Sequence, residues 1–403
     1  MKEAGDATQI LDLRRPTCSW FSSNSSSSHR HHSQDVDGSQ SVAIWAGLSP
    51  WTHDPGAANF AALAWPHWLA TIEKFLNNRP TPEAALWPID KEPGVALSYT
   101  PFGFQKLKWA IALILNLRGI RYNFQVKNVQ KPRFTSTQRG GVIRFLLWQS
   151  IELAYFVIMG DLVAQLGSRL FFAPPPGQRG PIDSMQLDLR DSDWRMSFLK
   201  ALTFWLWAIL FHQHAIHARI NRFCGNRRDW SPLFGRLAEA TTVRSFWGKF
   251  WHQMIRKALT GLTGRLLDLF GIRRGTNTSS YTQLWLSFAI SGFMHAASLT
   301  LMPCPANVPE RDRWVGLMCY FLWQAAAITL EDFVLFLWRK NFGVGSSGAL
   351  TNIVGYIWVT CSFWFSLPMA ADVLLKLRMG EVSPFPWTLW GPLVDRLFPQ
   401  YVD

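Results

Sequence analysis

Five long apolar stretches constrain this chain more than any other feature of its sequence. They cover residues 141–166, 198–218, 284–301, 314–338 and 353–375. A helix needs about 20 mostly apolar residues to cross a bilayer, and the third stretch lies near the lower limit. Charged residues make up only 17% of the chain, against roughly 25% in ordinary soluble domains. The 22 Trp residues point the same way, because Trp favours the membrane–water boundary. The pattern predicts an all-α, polytopic transmembrane helix bundle of five or more spans with amphipathic interfacial helices.

The remaining segments set the domain boundaries. Residues 1–40 hold a Ser-rich run with His29, His31 and His32, a composition that cannot bury a core and predicts a disordered tail with no cleavable signal peptide. Residues 41–104 are rich in Pro, Gly and Trp and read as a weakly defined interfacial region. Within it the apolar stretch 60–76 is interrupted by Pro66, His67 and Glu73. Residues 105–403 form the membrane domain, and its segment 105–117 is apolar but too short to span. It suits a helix buried against others or lying in the interface.

The formal net charge of +13 raises nucleic acid as a partner. Its distribution argues against that, since the basic residues sit in loops between apolar stretches, as cytosolic membrane loops do. Residues 104–140 carry Lys106, Lys108, Arg118, Arg121, Lys127, Lys131, Arg133 and Arg139 without an acidic residue. Residues 219–283 carry twelve Lys/Arg against Asp229, Glu239 and Asp268. Two spans separate these loops, so both are assigned to the cytosol, with the 302–313 loop and the C-terminus on the lumenal side. Cys18, Cys224, Cys304, Cys319 and Cys361 show no metal or CxxC spacing and read as small apolar residues.

Two segments carry candidate chemistry. In 242–264, Val243, Phe246, Trp247, Phe250, Met254, Ile255 and Ala258 recur at helical spacing, with Lys249, His252 and Arg256 opposite. This predicts an amphipathic helix at the cytosolic membrane surface. Its basic face either meets anionic headgroups or lines a polar site around His252. In the span 284–301, Ser287, Ser291, His295 and Ser298 form one polar stripe beside Gly292. Such a stripe faces a bundle interior. His295 there is either an interhelical hydrogen-bonding group or a functional one, since ionisable groups in spans are costly. Glu152, Asp161, Glu331 and Asp332 also fall in or near spans, as interhelical partners or as orienters of an imidazole. His212, His214 and His217 cluster at the end of the second span, but His212 lies off the shared face and no HExxH is present. No metal site is expected.

The segment 239–256 (EATTVRSFWGKFWHQMIR) together with 291–296 (SGFMHA) resembles the signature of the wax-synthase-like branch of the membrane-bound O-acyltransferases. That branch pairs a stretch close to S-L-R-D-F-W-G-R-x-W-H/N with a downstream span bearing a His. The upstream RGIRYNFQVKN (118–128) is similar to the family's RGIGW segment. The resemblance covers about residues 105–400 and is nearer to fungal acetyltransferases of secondary metabolites, such as terpenoids and meroterpenoids, than to plant wax synthases. It departs at the polar N-terminus, where relatives carry apolar spans, and at position 252, where plant members carry Asn.

The resemblance implies a multi-pass protein of the endoplasmic reticulum that moves an acyl group, acetyl foremost, from acyl-CoA to a hydroxyl of a hydrophobic acceptor, with no permanently bound cofactor. His295 maps to the catalytic His and His252 to the partner position. An alcohol needs a base to take its proton as it attacks a thioester, and imidazole suits this with a reference pKa of about 6.5. His252, Trp247 and Trp251 are candidates for the oxyanion donor. Lys249, Arg256 and Lys257 are candidates for the phosphates of coenzyme A. Wax-ester synthesis on long-chain alcohols, a non-catalytic transporter or lipid-binding protein, and a His-metal oxidase or desaturase are the competing readings.

Asn277-Thr278-Ser279 forms a glycosylation sequon inside the loop assigned to the cytosol. Expression in eukaryotic cells is expected to leave Asn277 without glycan. An endoglycosidase-sensitive shift abolished by Asn277→Gln would reverse the assigned orientation.

Overall fold

The fold is a computed structural model that describes residues 64–133, 139–174, 178, 180–213, 231–342 and 348–399. The tail expected over 1–40, His214, His217, Cys18 and Cys224 lie outside these residues. Nine helices organise the described chain: α1 (Ala64–Asn77), α2 (Phe104–Leu115), α3 (Arg139–Gly167), α4 (Trp194–Leu210), α5 (Arg256–Leu269), α6 (Asn277–Leu299), α7 (Glu310–Phe342), α8 (Ala349–Lys376) and α9 (Gly391–Leu397). Shorter turns connect them, and no strand occurs among the described residues beyond one isolated bridge between Pro88 and Tyr122. The all-α membrane class expected from the sequence is therefore the one observed.

Among the described residues, three helices are long and apolar enough to cross a membrane: α3 with its continuation to Phe172, α7 and α8. The five spans expected from sequence are reduced in this respect. Helix α4 has 17 residues, and the end of its apolar stretch lies outside the described residues. Helix α6 has 23 residues, but its polar first turns and its Ser/His stripe lower its hydropathy.

Local chemistry sets the helix ends. Thr276 and Ser279 form a capping box at the start of α6, the Thr276 hydroxyl accepting from Ser279 N at 3.1 Å. Asp193 caps α4 by accepting from Arg195 N at 2.9 Å. Helix α7 places Glu310 and Asp312 in its first turn and Arg339 and Lys340 in its last, matching the helix dipole. Pro368 lies inside α8 and removes one helical donor. Arg190 reaches the Trp364 carbonyl so released, at 3.5 Å.

Helix α7 packs between α6 and α8, and α5 packs against α1 and α6. The α7–α8 crossing depends on Gly316, where a Cβ would stand 2.3 Å from the Met369 carbonyl oxygen and 2.5 Å from Val373. Buried Asp161 ties α3 to the C-terminal segment by accepting from Leu389 N at 2.6 Å, Trp390 N at 3.1 Å and the Thr388 hydroxyl at 3.1 Å. Helix α2 combines both sequence readings. Trp109 and Leu113 are buried, while Leu107, Ile111 and Ile114 present an exposed apolar face.

The single surface helix expected over 242–264 does not form. One turn, Val243–Ser245, runs into a wide π turn, Phe246–Phe250, closed by Trp251 N donating to the Phe246 carbonyl at 2.7 Å. Trp251 is then extended, and α5 begins only at Arg256. The segment is not peripheral either, since Val243, Phe246, Trp251, Met254 and Ala258 are all buried. Phe246, Trp247, Phe250 and Trp251 fall within six successive positions, and the extended backbone at Trp251 takes that ring off the helical path. Breaking the helix lets both Trp247 and Trp251 enter the core around Phe363 and Phe321.

Gly316→Leu is expected to destabilise the protein by about 1–3 kcal/mol or more, the usual cost of overpacking. Thermal unfolding in detergent would read this as a lowered midpoint, whereas an unchanged midpoint would show that α7 and α8 separate at little cost.

Candidate active site

The break in the tryptophan-rich segment is held open by side chains that answer its freed carbonyls. Gln253 Nε2 donates to the Trp247 carbonyl at 3.0 Å and also to that of Trp251. Arg256 Nη1 donates to the Gly248 carbonyl at 2.7 Å and to Gln253 Oε1 at 2.8 Å. Asn128 adds a second donor to Gly248, at 2.9 Å. Upstream, the Glu331 carboxylate accepts from Val243 N at 2.6 Å, Arg244 N at 3.3 Å and the Trp358 indole at 3.0 Å. Buried polar groups need such partners, and here they fix a non-helical segment inside the bundle.

The upstream RGI segment has a defined part in this. Arg118 is buried and donates to the Pro232 carbonyl at 2.7 Å and the Ser231 carbonyl at 2.9 Å, pinning the start of the segment that ends at His252. Gly119 follows at φ +61°, where a Cβ would also strike Phe124.

A cavity of about 750 Å³ opens beside the break, and His212, His252 and His295 all line it. Along α6 its wall runs from Ser280 through Gln283, Ser287 and Ser291 to His295. At 1.5 Å per helical residue this is about 22 Å. Lys249, Arg244, Thr260 and Gln283 give the wall a polar end. Phe204, Ala208, Leu367, Ala370 and Leu374 from α4 and α8 form an apolar flank. The expected stripe thus faces the interior, apart from Ser298, whose hydroxyl donates to the His295 carbonyl at 2.7 Å.

Each imidazole is held differently. His295 Nδ1 lies 2.7 Å from the Ser291 carbonyl. A carbonyl can only accept, so Nδ1 carries the proton and Nε2 keeps its lone pair. Phe321 stacks on the ring at 4.6 Å and 29°. His212 uses the same device, with Nδ1 2.7 Å from the Ala208 carbonyl. His252 has no partner at Nδ1, which is buried. Its ring stacks on His212 at 4.7 Å and 20°. Desolvation, with His212, His295 and Arg118 adding like charge, holds His252 well below the ordinary imidazole range, so it is neutral at physiological pH.

The other candidates divide clearly. The Trp247 indole donates to Gln324 at 3.2 Å, and Gln324 donates in turn to Ser366 at 3.1 Å, so Trp247 is committed to the core and is not a spare oxyanion donor. Trp251 lines the cavity, stacked on Phe246. Lys249 is exposed at the cavity wall and makes no ion pair among the described residues. Arg256 lines the wall, but its Nη1 serves the break. Lys257 lies off the cavity, paired with buried Glu73 at 3.2 Å. None of the four carboxylates orients a histidine. Glu331 caps the break, Asp332 pairs with Arg244 and Tyr281, Asp161 holds the C-terminal segment, and Glu152 accepts from Trp148 and Gln149. Backbone carbonyls take the orienting role instead. Sequence reasoning missed His212 as a partner of His252, because α4 and the break are 40 positions apart and only folding brings them together.

Comparison with known proteins follows the same lines. Residues 230–323 match the model of the membrane bound O-acyl transferase family, and residues 141–211 that of the aspirochlorine biosynthesis protein F C-terminal domain. Aspirochlorine biosynthesis protein F of Aspergillus oryzae is 47% identical over 172 residues, 42% of this chain and 66% of that protein. Acetyltransferase ple2 of Rhodocybe pseudopiperita is 29% identical over 271 residues, 66% of this chain and 65% of that protein. Acetyltransferase atnC of an Arthrinium species is 29% identical over 317 residues, 72% of this chain and 70% of that protein. The chain thus spans just under two thirds of the length of the first two relatives. No solved structure matches. These matches make the chain similar to the membrane bound O-acyl transferase family over residues 230–323. Over a longer stretch the chain is similar to fungal proteins named acetyltransferases.

Glu331→Ala removes the acceptor of three N–H groups at the break. Hydrogen bonds to a charged group contribute about 1.5–3 kcal/mol each at most, so the variant is expected to lose several degrees of thermal stability. Unchanged unfolding would show that the break holds without its carboxylate cap.

Proposed function

We propose that this protein transfers an acyl group, acetyl foremost, from acyl-CoA to a hydroxyl of a hydrophobic acceptor in fungal secondary metabolism. The observation that carries the reading is His295. Its Nδ1 is tied to a helix carbonyl, so its basic Nε2 is left at a cavity whose one end is cationic and whose other flank is apolar. A transporter has no need of an imidazole fixed in this tautomer.

The reaction follows from that geometry. His295 Nε2 takes the proton of the acceptor hydroxyl as its oxygen attacks the thioester carbonyl carbon. A C–O bond forms and the carbonyl oxygen becomes an oxyanion. An orphaned buried N–H costs more than an idle lone pair, so neutral His252 carries its proton on Nε2. That N–H, or the Trp251 indole, donates to the oxyanion. On collapse the C–S bond breaks, and the leaving thiolate takes the proton back from His295. Ester and free coenzyme A result. Lys249 meets the coenzyme phosphates at the polar end, and the long pantetheine arm reaches inward along α6. The acceptor occupies the apolar flank. Location in the endoplasmic reticulum, with the polar end toward the cytosol, belongs to the same proposal.

Microsomes holding the protein are expected to consume acetyl-CoA when given a suitable terpenoid or related alcohol. His295→Ala is expected to lower kcat by about 10²–10⁴-fold without loss of membrane insertion. Near-normal turnover in that variant would remove the general-base assignment. Lys249→Ala is expected to raise KM for acyl-CoA with little change in kcat, an effect that fades as salt rises.

A further inference from the structure

We propose that His212 is the positioning residue for His252: it supplies the flat, anchored surface that fixes the plane of the His252 ring at the cavity wall. The kinetic part of this inference rests on the acyl-transfer reading.

The two histidines assigned to the chemistry are not equally constrained. His295 sits on a regular helix, hydrogen-bonded to the Ser291 carbonyl and stacked on Phe321. His252 sits on a non-helical segment and has no hydrogen-bond partner at Nδ1. Among the described residues, ring contacts orient it. Trp251 meets it at 5.2 Å and a 43° tilt, and Phe234 at 6.5 Å and 57°. Among the described residues, His212 alone lies flat on it, at 4.7 Å and 20°.

His212 is itself fixed. Its Nδ1 hydrogen bond to the Ala208 carbonyl holds its plane relative to α4, and Phe211 and Trp251 meet it edge-on at 5.6 and 5.3 Å. The pair therefore repeats, across two segments, what His295 obtains within one: a hydrogen bond to the carbonyl four residues back, and a face-to-face neighbour. In the pair the hydrogen bond belongs to His212 and the exposed imidazole edge to His252. A donor that can rotate is a poor oxyanion donor, because misplacement by about 1 Å can cost 10²-fold in rate.

The test compares wild type with His212→Ala and His212→Phe, each also made in a His252→Ala background. Two readouts are used: acetyl transfer kinetics, and the rate at which diethyl pyrocarbonate modifies His252, followed by mass spectrometry. The expected result for His212→Ala is faster modification of His252 and a kcat lowered by about 10- to 100-fold, with KM for acyl-CoA unchanged. His212→Phe keeps the flat ring and is expected to restore both. In the His252→Ala background the loss from His212→Ala should vanish, because the two residues act as a unit. Should His212→Ala not survive extraction, His212→Leu, which keeps bulk without a flat ring, takes its place.

The proposal is overturned if His252 is modified equally fast with and without His212, if the loss persists in the His252→Ala background, or if His212→Phe is as impaired as His212→Ala. A wild type that acetylates no alcohol while its His252 still gains reactivity in His212→Ala would sink the transfer reading and leave the positioning role standing.

Discussion

The structure depends on a helix that is not allowed to continue. Between Ser245 and Arg256 the backbone leaves the α-helical path, and the carbonyls so released would be costly inside an apolar bundle. Gln253, Arg256 and Asn128 supply their donors, and Glu331 receives the amides at the upstream end. The candidate site follows from that exchange. Trp247 and Trp251 reach the core, His252 arrives beside a helix 40 positions earlier in the chain, and a cavity remains along α6.

Much of this was legible in the sequence, and the parts that were not share a cause. Apolar length correctly signalled α3, α7 and α8, because hydropathy over 20 residues is a local property. The Ser287–Ser291–His295 spacing placed that face toward the interior, since periodicity survives wherever the helix is regular. The segment 242–264 also carries helical spacing, yet it breaks. Its periodicity does not register that Gln253, Arg256 and Asn128 satisfy the carbonyls a break would free. The carbonyls that side chains then satisfy lie nearby, but Glu331, which caps the break, is 88 positions from Val243.

The site divides in the same way. His295 and His252 were readable from paired motifs, and both line the cavity. Of the three cations named for the coenzyme phosphates, Lys249 and Arg256 line the cavity and Lys257 does not. Arg256 and Lys257 look like surface charge in the sequence, but one serves the break and the other neutralises buried Glu73. Their positions in the chain do not reveal this, because each partner is set by packing. His212 shows the reverse case. The sequence shows it only as one of a cluster of three His, and its stacking on His252 is set by packing across 40 positions.

Under the proposed acyl transfer, the apolar flank of the cavity also bears on what happens when no acceptor is present. An activated thioester beside a basic imidazole is open to attack by water, which would waste the acyl donor. Walls supplied by Phe204, Leu367, Ala370 and Leu374 offer a water molecule few hydrogen-bonding partners. The nucleophile that enters this flank most readily is one carried on a greasy scaffold. In the proposed reaction the partition between hydrolysis and ester formation is then governed by the dryness of one wall, and a polar substitution there would shift it toward thioester hydrolysis.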